Sequence, residues 1–406
     1  MHSSEKDPLE LHGAVNRHLL SGLALAMCLL ADVRMAIYAA LLAITYFGIQ
    51  HARRDRLAWL KIISGVAILI VVAVTVSAVV WLPALTLTGS TARAALTPEE
   101  AGVQSLDPAY LLGVIIADRS GAAERMTYLG SVVLILAMVG IKLFHRRERR
   151  LIGWLIGVLI VGAIVSLGLN TPFYRFLYGL PGSTLLRVPA RAWFVVSFAA
   201  AALAGLGLQA LMDWTGKASS RSIFVFIVVA FAALVWGVAG ALGSGSLSFI
   251  AIALWIPIAS LLIILRLTRK LSVNRFVAAS LALVAIDLIS IDWALYRASP
   301  VDQVFADGQA AAEWLAQQPG VFRIYSPSYS IPQQVAQEFH LQLADGINPL
   351  QLARYVTFMQ QATGVGVWDY SVTLPAFPNL KQDSDIRSAL AQVTPDVQLL
   401  SLLNVK

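Results

Sequence analysis

The 406 residues are 58% hydrophobic and only 13% charged, with a formal net charge of +7. Soluble domains carry roughly 25% charged residues, so this composition excludes an ordinary soluble protein. With its repeated apolar runs of near-spanning length, it indicates a polytopic membrane protein. The positive balance is no nucleic-acid signature, because residues 1–296 hold 24 Lys+Arg against 14 Asp+Glu, mostly in short connections, while residues 297–406 hold 6 against 9.

Glu5, Asp7 and Glu10 spoil the positive n-region of a signal peptide, so the first apolar run is expected to stay in the protein. That run, 19–50, is interrupted by Asp32 and Arg34. Its length exceeds one span of roughly 20 residues. It is read as a short helix over 15–31, re-entrant or stopping part-way, and a spanning helix over 33–50. Asp32 and Arg34 are intramembrane polar candidates that pair locally or line a cavity. Further spans are predicted at 60–82, 127–144, 151–168, 192–212, 222–243, 248–266 and 276–296. The expected fold is an all-α polytopic bundle of about eight spanning helices.

The connections alternate in charge. Segments 51–61, 142–150, 213–221 and 266–275 hold 15 Lys+Arg together, whereas 84–126, 169–191 and 243–246 hold 6. The positive-inside rule assigns the first set to the cytoplasm. Loops 84–126 and 169–191 then face outward, and the last helix delivers residues 297–406 to the extracytoplasmic side. The domain division expected is therefore 1–296 and 297–406. The latter reads as a small soluble α/β domain, with helices over 308–318, 331–343 and 348–362 and a strand over 321–326. Trp81, Trp154, Trp193, Trp214, Trp293 and Tyr296 lie near run ends, as an interfacial aromatic belt requires.

The chemistry-bearing residues are few. Arg187 and Arg191 flank Pro189 at the mouth of the 192–212 helix. Two guanidinium groups beside a helix N-terminus suit a phosphate, and equally a lipid headgroup or a loop acid. Asp287 lies about 13 Å below Tyr296 along its helix. An ionisable group at that depth is functional, paired with a structural partner such as Arg34, or a protonated carboxyl bonded to a neighbouring helix. Thr97 and Glu100 have capping-box spacing, with Pro98 at the first helical position. Asp107 precedes Pro108 in a turn or cap arrangement, and Asp118–Arg119 begins a polar patch. Ala201 and Gly205 have small-xxx-small spacing for close helix contact. The six histidines lack metal-ligand spacing, and the single Cys28 excludes an intramolecular disulfide. No phosphate-cradling glycine loop, HExxH, nucleophile elbow or CxxC is present.

Taken together, these segments resemble a known family. PGSTLLRVPARAWF before an Ala/Gly/Leu-rich helix is similar to the YfhO-like bacterial membrane proteins of the GT-C glycosyltransferase-like group. WLPALTLTGSTARAALTPEEAGVQSLDPAYLL resembles their large outer loop. FRIYSP, LADGINPLQLARYVTFM and LLNVK resemble their outer domain. The resemblance implies sugar transfer from a polyprenyl-phosphate carrier to a cell-envelope acceptor, such as a glycopolymer, at the outer face of the bacterial plasma membrane. No other cofactor is implied. It makes Arg187 and Arg191 candidates for the phosphate grip, and no catalytic base carries over. The match begins near the middle of a typical family member and stops before its end, so a fragment or a reduced relative is expected. A non-catalytic scaffold binding lipid-linked glycans and a transporter of lipid intermediates are the alternative readings.

Overall fold

The computed structural model describes residues 8–51, 56–117, 124, 126–143, 148–180, 186–216, 219–295, 298–327, 330–365, 370–375 and 393–406. The chain divides into two compact units. The first comprises residues 1–77 and 101–296, the second 78–100 and 297–406. Segment 78–100, expected within the membrane domain, thus groups with the C-terminal residues.

The helices in order are α1 Pro8–Ala31, α2 Val33–His51, α3 Arg56–Val76, α4 Ala78–Thr88, α5 Pro98–Ala101, α6 Ser131–Leu143, α7 Arg149–Ser166, α8 Phe173–Tyr178, α9 Trp193–Met212, α10 Ser220–Ser244, α11 Leu247–Leu267 and α12 Val273–Leu295. Among the described residues, five helices are long and apolar enough to cross a membrane. The count is six if the broken pair Ile63–Val76 and Ala78–Thr88 is one span. The described residues thus support five to six of the expected eight. His18–Ala31, Val33–Ile49 and Ser131–Leu143 are apolar but shorter. The 13 residues of α6 extend about 20 Å, against a hydrocarbon core of about 30 Å.

Asp32 sets the first break. Its carboxylate accepts the Arg34 backbone N–H at 2.8 Å, so it caps α2, and it holds the Arg34 guanidinium through Nε at 2.9 Å and Nη2 at 2.5 Å. Of the two sequence alternatives, the local pair is the one formed. The second break follows Val76, where the buried Ser77 hydroxyl bonds back to the Ala73 carbonyl at 2.7 Å. Such back-bonding competes with the helical ladder.

Three helix pairs meet at glycines. In α6 and α9 a Cβ on Gly207 would overlap the Leu136 carbonyl oxygen, and one on Gly140 would overlap that of Leu203. In α10 and α11 a Cβ on Gly237 would stand 2.7 Å from that of Ala253. In α1 and α3 a Cβ on Gly22 would lie 2.8 Å from that of Val72, and one on Gly65 would lie 2.7 Å from the His18 ring. Without a hydrophobic drive between helices in lipid, small residues permit the close packing that holds them. The sequence reading assigned this role in α9 to Ala201 and Gly205. Both face outward, and nothing lies within 4 Å of a Cβ built on Gly205. The contact face carries Ala200, Leu203, Ala204 and Gly207 instead. An all-round apolar helix offers no polar face from which to read the buried one.

The main core gathers α6, α7, α9 and α11 with Phe276 of α12. The aromatic belt is only partly realised. Trp293 is exposed, but Trp193 is buried and donates from Nε1 to the Thr127 carbonyl at 3.1 Å. Trp154 is also buried, donating to the Thr45 hydroxyl at 3.1 Å. Tyr296 lies outside the described residues.

The second unit contains α4, most of α5 and the C-terminal helices α13 Val301–Ala306, α14 Gln309–Ala316, α15 Gln333–Glu338, α16 Ala353–Thr363 and α17 Val397–Ser401. Its described strands are short: β1 Arg323–Ile324, β2 Gln342–Leu343, β3 Gly346–Ile347 and β4 Thr373–Leu374. β1 pairs with β2 in parallel and β3 with β4 antiparallel. Val405 bridges Arg323 on the other side of β1. The expected helix over 331–343 ends early, with β2 following a turn at His340, whose φ is 55°. The capping box forms as read: the Thr97 N–H donates to Glu100 Oε2 at 2.6 Å, and the Glu100 N–H to Thr97 Oγ1 at 3.2 Å. Glu100 also accepts the Tyr370 N–H at 2.5 Å.

The glycine contacts give a direct test. Gly207→Ala should cost about 1–3 kcal/mol, since backbone sits where the methyl would go. Gly205→Ala should be neutral or slightly stabilising, because it adds helix propensity without a clash. Thermal unfolding of both variants in detergent checks the contrast.

Candidate functional site

The mouth of α9 is built by segments 101–117, 167–178 and 186–192. Leu106 N–H donates to the Ser166 carbonyl at 3.0 Å, and Leu169 N–H donates to the Ser105 hydroxyl at 2.9 Å. Asn170 Nδ2 donates to the Leu106 carbonyl at 2.8 Å. Gly168, at φ +48°, leaves room for Pro189, whose Cγ would lie 2.7 Å from an added Cβ.

Val188 lies between Arg187 and Pro189 with φ 68° and ψ 77°. A left-handed conformation is a true outlier for a β-branched residue. It is held by burial and by its N–H bond to the Ala101 carbonyl at 3.1 Å. Strain of this kind persists only where the surroundings over-determine it. Here the twist brings Pro189–Ala192 into a 3-10 turn that runs straight into α9.

Arg191 leaves that turn half-buried, with Nη2 3.8 Å from Glu124 Oε1. The Tyr38 phenol of α2 feels the charge of Arg191 and has Tyr174 as a second electrostatic neighbour. Tyr38 packs with Ala192 and Val195 of the α9 mouth. Arg187 is half-buried two positions from the turn and has interactions of its own. The expected free backbone donors are partly used up. The Arg191 N–H bonds to the Val188 carbonyl, and the Trp193 N–H to the carbonyls of Ala190 and Arg191. Any anion grip here therefore falls to guanidinium groups. A pair at 3.8 Å, a third exposed on each side, is a weak latch that another anion can displace.

Asp287 is placed elsewhere. It is fully buried, and Tyr128 Oη donates to Oδ1 at 2.6 Å while the Val132 N–H donates to Oδ2 at 3.1 Å. The carboxylate thus caps α6 from α12, with no contribution from Arg34. Gly130, at φ +91°, turns the chain beneath it, and a Cβ there would lie 3.4 Å from Oδ2. Asp107 caps the 3-10 turn Pro108–Val114 through the Ala109 N–H at 2.8 Å. Asp118 and Arg119 lie outside the described residues. No group of three or more His, Cys, Asp or Glu among the described residues is placed to hold a metal.

Sequence reasoning missed Tyr38, Glu124 and Tyr128. Tyr38 sits inside an apolar run, and nothing local marks its partner. Glu124 carried a weak signal, an acid in the loop that was assigned outward with the arginines.

In the second unit, Asp345 accepts the Ser326 N–H at 2.9 Å. Burial pushes its carboxyl above the ordinary value, partly offset by that bond.

Residues 17–313 match the family described as bacterial membrane protein YfhO. The chain belongs to the YfhO family. No curated protein matches it, and no solved structure does.

Removing one hydroxyl tests the α6 cap. Tyr128→Phe should destabilise the YfhO bundle by about 1–3 kcal/mol, the range for leaving a buried hydrogen-bonding group unsatisfied. Thermal unfolding reads this loss, and faster amide exchange at 131–134 localises it. A second test uses Asp345. A carboxyl raised by folding lends stability fully present below its unfolded value of 3.8 and lost as pH rises through the folded one. Resistance of residues 297–406 to proteolysis should therefore fall as pH rises above 3.8, and Asp345→Asn should flatten that dependence.

Proposed function

We propose that this YfhO-family chain is a GT-C-like membrane glycosyltransferase, or part of one. It transfers a sugar from a polyprenyl-phosphate carrier to a cell-envelope acceptor at the outer face of the bacterial plasma membrane. The observation that carries the reading is the pairing of Arg191 with Glu124, beside Arg187, at the mouth of α9. It joins a cation for the leaving phosphate to a carboxylate for the acceptor. The charge alternation of the connections supports an outward position for this mouth and for residues 297–406.

The chemistry balances on these groups. The acceptor hydroxyl gives its proton to the Glu124 carboxylate as its oxygen bonds to the anomeric carbon. The bond from that carbon to the phosphate oxygen breaks, and the electron pair leaves with the phosphate. Arg191, with Arg187 beside it, neutralises the charge that develops there. The carrier supplies the activated sugar.

A scaffold reading draws on the same ion pair, since a carboxylate resting on its arginine is also a structural latch. The two readings separate in reconstituted vesicles given a radiolabelled polyprenyl-phosphate sugar. Under the transferase reading, Glu124→Gln should lower transfer about 100-fold or more while carrier binding persists. Arg191→Ala should weaken carrier binding about tenfold to a hundredfold, as loss of a charged hydrogen bond implies. Carrier binding by the wild type without transfer selects the scaffold. Unchanged binding in the double Arg187→Ala, Arg191→Ala variant overturns both.

A further inference from the structure

A groove of about 250 Å³ opens between α6 and α10, with the ends of α9 and α11 closing it. Its wall is apolar: Ile135, Val139, Val225, Phe226, Val229 and Leu267 line it. Ile135 and Val139 are buried, whereas Val225 is exposed along the open side. One end is polar, with exposed Lys142 and the Ser222 and Trp214 side chains in the lining.

The polar end carries a surplus of positive charge. Arg221 precedes Ser222 at the start of α10, and Arg266, Arg269 and Lys270 cluster at the end of α11. Arg266 is buried, and its Nη2 donates to the Met212 carbonyl at the end of α9 at 2.7 Å. Asp213 is the acid beside Trp214 at that end. An apolar trough ending in cations matches one chemistry, an acyl chain joined to an anionic headgroup. Basic clusters between membrane helices attract anionic lipid.

We propose that this groove is a binding site for one anionic phospholipid of the surrounding bilayer. Its acyl chain lies on Val139, Val225 and Phe226, and its phosphate pairs with Lys142. The site lies apart from the α9 mouth and stands whether or not the transferase reading does.

Native mass spectrometry of the purified full chain tests it, with phosphatidylglycerol and phosphatidylcholine of identical acyl chains as competitors. One phosphatidylglycerol should remain bound per chain, in preference to phosphatidylcholine. Lys142→Ala should cut that preference about fivefold, the scale of one lysine near a membrane surface. Val225→Trp should expel the lipid by filling the trough. Both positions are exposed, so unchanged elution and thermal unfolding in lipid-free detergent will show that the variants fold. Equal retention of the two lipids, no stoichiometric lipid, or a preference indifferent to Lys142→Ala overturns the proposal.

Discussion

In hydrocarbon a backbone N–H has no water to turn to, so every helix that begins inside the membrane region must have its first turn satisfied by the protein. Helix α6 begins among buried residues, Ser131, Val132 and Val133, where the Tyr128 hydroxyl accepts the Ser131 N–H and the Asp287 carboxyl of α12 accepts that of Val132. Much else follows from that contact. It fixes where α6 starts. It requires the left-handed turn at Gly130, and it ties α12 to the helix on which α9 is packed. A buried acid that first suggests chemistry is here the solution to a hydrogen-bonding problem.

Strain at the α9 mouth has a comparable logic. Val188 is twisted against its own preference and held there by the Ala101 carbonyl and by Pro189 resting on Gly168. The result is a 3-10 turn in which the Arg191 and Trp193 N–H groups bond to the turn's own carbonyls, while the Arg191 guanidinium meets Glu124. Under the proposed function, recognition of an anion then rests on side-chain charge, with Glu124 as the competing negative group.

Local patterns were legible where their partners were near in sequence. The Thr97–Glu100 box and the Asp32 break are three- and two-residue motifs, and both form as spacing suggests. Depth along a helix marked Asp287 as a group needing a partner, but its partners lie on a different helix that no periodicity connects to it. The orientation of α9 was illegible for another reason. Ala201 and Gly205 repeat at the same interval as Ala200 and Ala204, and nothing polar separates the two faces. Apolar runs and helices part company at Ser77 and Gly130, because hydropathy does not register a break in the helical ladder.

The glycine contacts divide the bundle into paired units. Backbones that touch, as α6 and α9 do at Gly140 and Gly207, cannot slide without overlap, and α10 and α11 are similarly locked at Gly237. Sliding within each pair is therefore opposed at those points, which sets the pairs apart from the seams between them. The groove lined by Val139 and Val225 lies on one such seam. The lipid proposed to fill it would act as a wedge between the two pairs, so the composition of the bilayer would become a mechanical variable of the protein.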